Sequence, residues 1–403
     1  MKYCKLSPIR WVILLLVPII MWGFYWYIGF NQTIVKYILF ITAVILLAFS
    51  LNDVFKSFSK KGSYDKYIAI IISLILLSFL VTFVYWGQNP ILTFRAAASQ
   101  FLILYYYLLK HFNVGFGDLN RLITVFAGIY IVIWLIALAA APRVLFGNLE
   151  EIGDDRGFFR ILQLNGIDTL CLFYFICLMN MCKKGGKKSF WIIAAIVSYV
   201  VVFLSLTRNL IFSISLVTLV FLFIYNKKIL VGATIIMALG GYSLLSQNEI
   251  VDSLYTMTHD QIEERSEGNL RLVEYTQFTE HFPFHVGTML FGNGEPHVAS
   301  SYGQREEQLK SSYGFNRSDA GYVHIITSYG LVMLLVFISL LFKVIKQRVS
   351  FDSKGYKLFV YFLFIVNVLA STFFSYTASL VICLYALELE RQSTARCGVS
   401  VTQ

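Results

Sequence analysis

The sequence predicts an all-α, polytopic membrane protein with about twelve transmembrane helices. Three observations carry that expectation. Of the 403 residues, 58% are hydrophobic. Only 14% are charged, against roughly a quarter in soluble domains, so a water-facing surface is missing. The apolar residues also gather into runs close to the roughly 20 residues that a helix rising about 1.5 Å per residue needs to cross a hydrocarbon core of about 30 Å. The whole chain, 1–403, reads as a single membrane domain.

The expected spans follow in order. The first, 11–30, comes after Lys2, Lys5 and Arg10. It is too long, and lacks the small-residue cleavage site, to be a removed signal peptide. Next come 33–51, 67–86, 91–109, 122–141 and 167–182, and then 189–206, 210–225 and 229–246. The last three expected spans are 320–342, 358–374 and the short 378–389. Two connections are long: an outer loop at 142–166, and a large loop at 247–319 between the ninth and tenth spans. Long loops in compact domains usually carry function. The larger one holds His259, His281, His285 and His297, a helical-looking stretch at 249–275, and a turn-rich tract beginning Phe291-Gly-Asn-Gly-Glu-Pro.

Lys and Arg set the orientation. With both termini in the cytoplasm, cytoplasmic segments hold 22 Lys and Arg against six Asp and Glu, a net of +16. The remaining 11 cations and 17 acids give −6, and the two sum to the formal +10. The net positive charge therefore reflects membrane orientation, and nucleic-acid binding is not implied. On the outer side most cations are Arg, a planar fork suited to phosphate and carboxylate. The six Cys lie in cytoplasmic segments or spans, so no disulfide framework is indicated.

No P-loop, GxGxxG, HExxH or GxSxG motif is present. The acidic run Glu150-Glu151-Ile-Gly-Asp154-Asp155 next to Arg156 reads as a solvated loop. Arg208 stands in the tight Thr207-Arg208-Asn209 connection between two uncharged spans, where an ionisable group is costly. It fits either an anionic ligand or snorkelling to headgroups. Lys36 and Arg95 sit at similar depth and would suit a lipid-linked phosphate. Arg271 follows Glu267-Gly-Asn-Leu in the large loop. Asp319 stands at the expected outer end of the tenth span, where a carboxylate also fits a helix cap. His324 is five residues on, about 7.5 Å deeper and turned by about 140° if the helix is continuous. Asp319 and His324 would then face different ways. No metal-ligand cluster is visible, and no cofactor is expected.

The order Thr-Arg hairpin, large loop with Arg, Leu290-Phe-Gly-Asn-Gly294, then Ser318-Asp319-Ala-Gly-Tyr322 and Tyr329-Gly330-Leu331 resembles the O-antigen polymerase (Wzy) family, within the O-antigen polymerase and ligase superfamily. The resemblance covers most of the chain in topology, and about Arg208 to Leu331 in motif. It implies a GT-C-like helical fold in the bacterial inner membrane. It also implies a glycosyltransferase that polymerises undecaprenyl-pyrophosphate-linked repeat units for lipopolysaccharide, with a chain-length regulator as a further partner. The ligases carry a His that aligns with Asp319, which places this chain nearer the polymerases. On this reading Arg208 and Arg271, with Arg156 or Arg160, would neutralise the departing pyrophosphate. Asp319 would be the first choice as base and His324 the second. Tyr322, Lys36 and Arg95 would contact substrate. The alternatives are a ligase that transfers polymer to lipid A–core, and a flippase of lipid-linked oligosaccharide. The long loop and the lack of a repeat argue against the flippase.

Overall fold

The computed structural model describes residues 8–23, 32–60, 62–140, 143, 145–146, 164–183, 188–205, 207–225, 275–278, 285–313, 315 and 317–397. Helices account for most of these residues, and no strand appears among them. Four helices are long and apolar enough to cross a membrane, and a fifth counts if one bent pair forms a single span. Many large apolar side chains on them face outward, among them Val84, Ile34 and Leu135. Lipid, rather than water, suits such a surface, and the chain is a membrane-embedded helical protein.

The helices are α1 (Pro8–Trp22), α2 (Gln32–Ser57), α3 (Tyr64–Trp86), α4 (Pro90–Ala96) and α5 (Tyr105–His111). They continue with α6 (Phe116–Ala140), α7 (Ile167–Cys182), α8 (Lys188–Leu204) and α9 (Arg208–Tyr225). After the large loop come α10 (Val286–Phe291), α11 (Ser301–Tyr313), α12 (Tyr322–Lys346), α13 (Lys354–Leu369) and α14 (Thr377–Cys397). Helix α7 sits at the centre, with Ile167 through Met179 all buried, and packs against α6, α8 and α13. Its buried Asp168 accepts from Ser379 Oγ of α14 at 2.6 Å, a polar contact suited to the interior of the bundle. The expected span 229–246 and the helical stretch expected before Tyr275 lie outside the described residues.

The stretch expected as one span at 91–109 is broken. Asn89 caps α4 by accepting the Ile91 N–H at 2.9 Å, and Pro90 fills the first helical position. The chain then bends by 70° into a 3-10 turn (Gln100–Leu104) that runs into α5. The two arms of the break carry polar groups to opposite sides: Arg95 lies outward, 5.3 Å over the Tyr37 ring, while Gln100 reaches inward to Glu295 at 3.5 Å.

Helix α12 contains a second break. Gly330 has φ 82° and ψ 173° inside the helix, a conformation open to glycine. The Thr327 and Ser328 carbonyls accept from the backbone N–H groups of Asn293 and Gly294, both at 2.8 Å. Gly292, also at positive φ, lies directly against the Ser328–Tyr329 backbone, and Gly330 lies against Leu290 and Phe291. A Cβ at either glycine would collide with main chain. Two parts of the resemblance motif, Leu290-Phe-Gly-Asn-Gly294 and Tyr329-Gly330-Leu331, thus interlock through their backbones.

The Tyr64 end of α3 is closed by ion pairs. Asp65, 1% exposed, accepts from Tyr106 Oη at 2.8 Å, from Lys60 Nζ at 3.1 Å, and from Lys110 Nζ. Glu388, 2% exposed, accepts from Arg391 Nη2 at 2.6 Å, Gln392 Nε2 at 3.0 Å and the Tyr64 N–H at 3.2 Å. The Lys343 ammonium lies 3.9 Å over the Tyr64 ring and 4.9 Å over that of Tyr67.

Candidate functional site

The opposite end of α3, at Trp86, holds a different cluster. It begins with the non-helical segment 292–300, whose buried backbone needs polar partners. Thr82 Oγ1 donates to the Asn293 carbonyl at 2.7 Å, and Trp86 Nε1 donates to Asn293 Oδ1 at 3.0 Å. Gln88 holds the rest of the segment. Its Nε2 donates to the Glu295 carbonyl at 2.8 Å, and its Oε1 accepts from the His297 N–H at 3.0 Å and from Ser300 Oγ. These contacts carry Glu295 into the bundle.

The Glu295 side chain is only 13% exposed. Its Oε1 accepts from Tyr329 Oη at 2.8 Å and from Gln100 Nε2 at 3.5 Å, and lies 3.3 Å from His324 Nε2. His324 Nδ1 lies 2.6 Å from Ser371 Oγ, in the turn between α13 and α14. Burial by itself would raise the Glu295 carboxyl. The charges of His324 and Arg317 and the hydrogen bonds from His324 and Tyr329 outweigh it and hold the group below the usual carboxylate value. Glu295 is therefore ionised at neutral pH. When the imidazole is neutral, an Nε2–H donated to the ionised Oε1 leaves the Nδ1 lone pair to accept from the Ser371 hydroxyl.

Arg317 completes the cluster. It is 6% exposed and lies on the 3-10 turn Arg317–Ala320. Nη2 donates to Glu306 Oε1 at 2.6 Å and to Tyr302 Oη at 2.7 Å, and Nη1 donates to Ser328 Oγ at 3.2 Å. The Tyr302 ring stacks on Trp86 with centroids 4.2 Å apart. Burial opposes the guanidinium charge, and the charges around Tyr302, Glu306 and Glu295 more than restore it, so Arg317 stays ionised.

The residues singled out in the sequence fall into three groups. His324 lies inside the cluster. Tyr322 is close by in sequence, but its hydroxyl donates to the Phe364 carbonyl of α13 at 2.9 Å. Arg95 lies over the Tyr37 ring, Lys36 precedes Tyr37 on α2, and the charges of both reach His297. Arg208 is the first residue of α9, and its side chain, like that of Asp319, lies outside what the structure describes. Arg271, Arg156 and Arg160 also lie outside the described residues. Asp319 belongs to the 3-10 turn, and Gly321, at φ 53°, is the N-cap of α12. Asp319 is therefore not the cap of that helix, and the helical rotation between positions 319 and 324 does not apply. No group of three His, Cys, Asp or Glu able to hold a metal occurs among the described residues.

Sequence reasoning missed Glu295, Arg317, Tyr302, Glu306, Ser371 and the two glutamines. A signal for one of them was present. Gln100 is a polar residue in a strongly apolar run, and such residues in membrane proteins mark function by default. No protein-family model matches this chain, and no curated protein matches it. The fold and the cluster thus define a class only: a helical membrane protein with a titratable polar relay buried at one end.

Proposed function

We propose that the chain is a glycosyltransferase of the O-antigen polymerase type. It would have about twelve spans, the number expected from span length and hydropathy, and its Trp86 end would face the periplasm of the bacterial inner membrane. It would join repeat units carried on undecaprenyl pyrophosphate. The observation that carries the reading is the Ser371–His324–Glu295 relay, built from the same loop and helix start that bear the resemblance motif. The accumulation of Lys60, Lys110, Lys343 and Arg391 at the opposite end supports the orientation.

In the proposed reaction the acceptor hydroxyl attacks the anomeric carbon of the donor sugar. A new C–O bond forms, and the bond from that carbon to pyrophosphate breaks, with the electron pair leaving on the phosphate oxygen. Arg208 and Arg271 would stabilise that charge. The acceptor proton must go to a base. Ser371 can take it while passing its own proton to His324 Nδ1, and ionised Glu295 then stabilises the imidazolium. Asp319, two residues from Arg317, is the competing base. The relay is favoured because each of its members is held by a neighbour.

The test is the lipopolysaccharide ladder of a strain lacking the protein, with complementation by wild type, Asp319→Asn and Ser371→Ala. The null strain should show core bearing a single repeat unit, and Ser371→Ala should shorten the ladder at normal protein level. Bare core in the null strain would establish a ligase instead, and an unchanged ladder would overturn the proposal. Loss of polymer in Asp319→Asn with a normal ladder in Ser371→Ala would transfer the base to Asp319.

A further inference from the structure

A basic patch forms where α2, α4 and the 292–300 segment meet. Arg95 lies over the ring of Tyr37, next to Lys36, and neither cation pairs with a carboxylate among the described residues. His297 belongs to the same patch, because its N–H is tied to Gln88, two residues before Pro90 opens α4. The Ala299 N–H donates to His297 Nδ1 at 3.2 Å, so Nδ1 accepts and the ring proton sits on Nε2. Burial, together with the charges of Arg95 and Lys36, holds His297 below its ordinary value, which keeps it a neutral donor near pH 7. Exposed apolar side chains border the patch: Ile34 and Ile41 on α2, Ile91 on α4, and Val298 in the loop. Cations with no carboxylate partner among the described residues, beside a lipid-facing apolar rim, fit a ligand with an anionic head and a hydrocarbon tail.

The patch and Arg208 lie on different sides of the relay. Helices α2 and α4 pack on α3, whereas α9 packs on α13 and α8. Between them stands α12, with Gln100 of the α4–α5 bend reaching Glu295 and Ser371 beyond α13 reaching His324. A polymerase that joins two lipid-linked saccharides must hold two pyrophosphates, of which one leaves and the other stays attached to its sugar. We infer that Lys36, Arg95 and His297 form a second lipid-pyrophosphate site, the one that holds the acceptor. This rests on the polymerase reading. Fixed charges and a neutral donor suit a headgroup that is anchored without being expelled.

The experiment counts lipids and does not depend on polymer. Purified full-length protein in detergent is titrated with undecaprenyl pyrophosphate and examined by native mass spectrometry. Wild type should bind two molecules. Lys36→Ala with Arg95→Ala, both exposed positions, should keep one and weaken the other by at least about tenfold, the worth of one charge-assisted hydrogen bond. Arg208→Ala should keep the acceptor-site molecule, and the triple variant should bind none. Inorganic pyrophosphate and phosphatidylglycerol serve as competing probes, and neither should displace the lipid at equal concentration. A single lipid on wild type, two on the Lys36/Arg95 variant, or equal displacement by either competitor overturns the site. Two lipids on a chain whose loss leaves the ladder unchanged supports the site and overturns only the polymerase reading.

Discussion

The two ends of α3, roughly 35 Å apart by helix rise, both bury carboxylates and treat them differently. At the Tyr64 end, Asp65 and Glu388 are saturated by Lys and Arg whose heads reach solvent, with Lys60 44%, Lys110 33% and Arg391 37% exposed. These partners are two ammonium groups and a guanidinium, and no imidazole stands among them. At the Trp86 end, Glu295 faces an imidazole, two hydroxyls stand at hydrogen-bonding distance in the same chain of groups, and every partner is internal. A proton can move along that chain without breaking the fold. Two clusters of similar composition can thus be sorted by whether the partner of the acid titrates.

The sharpest way to break the comparison is Glu295→Gln. It keeps size and hydrogen bonding but removes the charge that stabilises the imidazolium, so polymer formation should fall by about 10²–10⁴-fold, the worth of general-base catalysis. Thermal stability in detergent should fall as well, because the buried pair with His324 is lost, so polymer is compared at equal amounts of folded protein. A normal ladder from this variant would make the Trp86 cluster as structural as the other.

Arg317→Met should act on stability. It leaves Glu306, 14% exposed, without its cation, and breaking a buried pair costs about 3–5 kcal/mol. Adding Glu306→Met should recover much of the loss in a denaturant titration; no recovery would mean that Tyr302 and Ser328, rather than Glu306, are the partners that count.

At the other end, Asp65→Asn should cost less, about 1–2 kcal/mol, because Lys60 and Lys110 can return to water. Polymer per folded molecule should stay at the wild-type level. A drop in polymer with unchanged stability would join the two ends functionally.

The ends should also differ in their response to alkali. Glu295 is held below its ordinary value, so its contribution is complete above the unfolded pKa and is lost as pH falls through the lower folded one. Burial opposes the Lys60 charge, but Asp65 more than offsets it and the pKa is raised. That contribution is complete below the unfolded pKa and is lost as pH rises through the folded value. Burial would raise the Asp65 carboxyl, but Lys110, Tyr106 and Lys60 hold it below its ordinary value, so its contribution too is lost as pH falls. Hydrogen exchange should therefore show both segments loosening in acid and only the start of α3 loosening in alkali. Equal loosening of segment 292–300 in alkali would remove the electrostatic distinction. The smallest effect belongs to Lys183→Ala. Its pair with Asp352 is exposed on both sides, 48% and 53%, and should matter by less than about 0.5 kcal/mol, within the error of the same denaturant titration.

Local features were legible in the sequence and distant contacts were not. The run at 67–86 marks α3 to within a turn, because span length and apolarity are properties of one segment. The run at 91–109 misleads, since its apolarity continues through the 70° bend, and the partner that Gln100 meets there, Glu295, is 195 positions away. His324 was visible as an ionisable group in an apolar helix. Its partners were not, because Glu295 looks like a turn residue and Ser371 like one hydroxyl among many. Asp319 looked like a cap because the left-handed Gly321 that displaces the helix start is a conformation and not a composition.

The interlock of Gly292 with Gly330 also sets a timetable. A nascent chain emerges from its amino terminus, and domains form in that order. Helix α3 is inserted long before residue 292 is made, and the segment that carries Glu295 has no seat until the backbone around Gly330 is in the bilayer. Ser371 arrives later still. Every chain cut short of Ser371 lacks the completed Ser371–His324–Glu295 contacts.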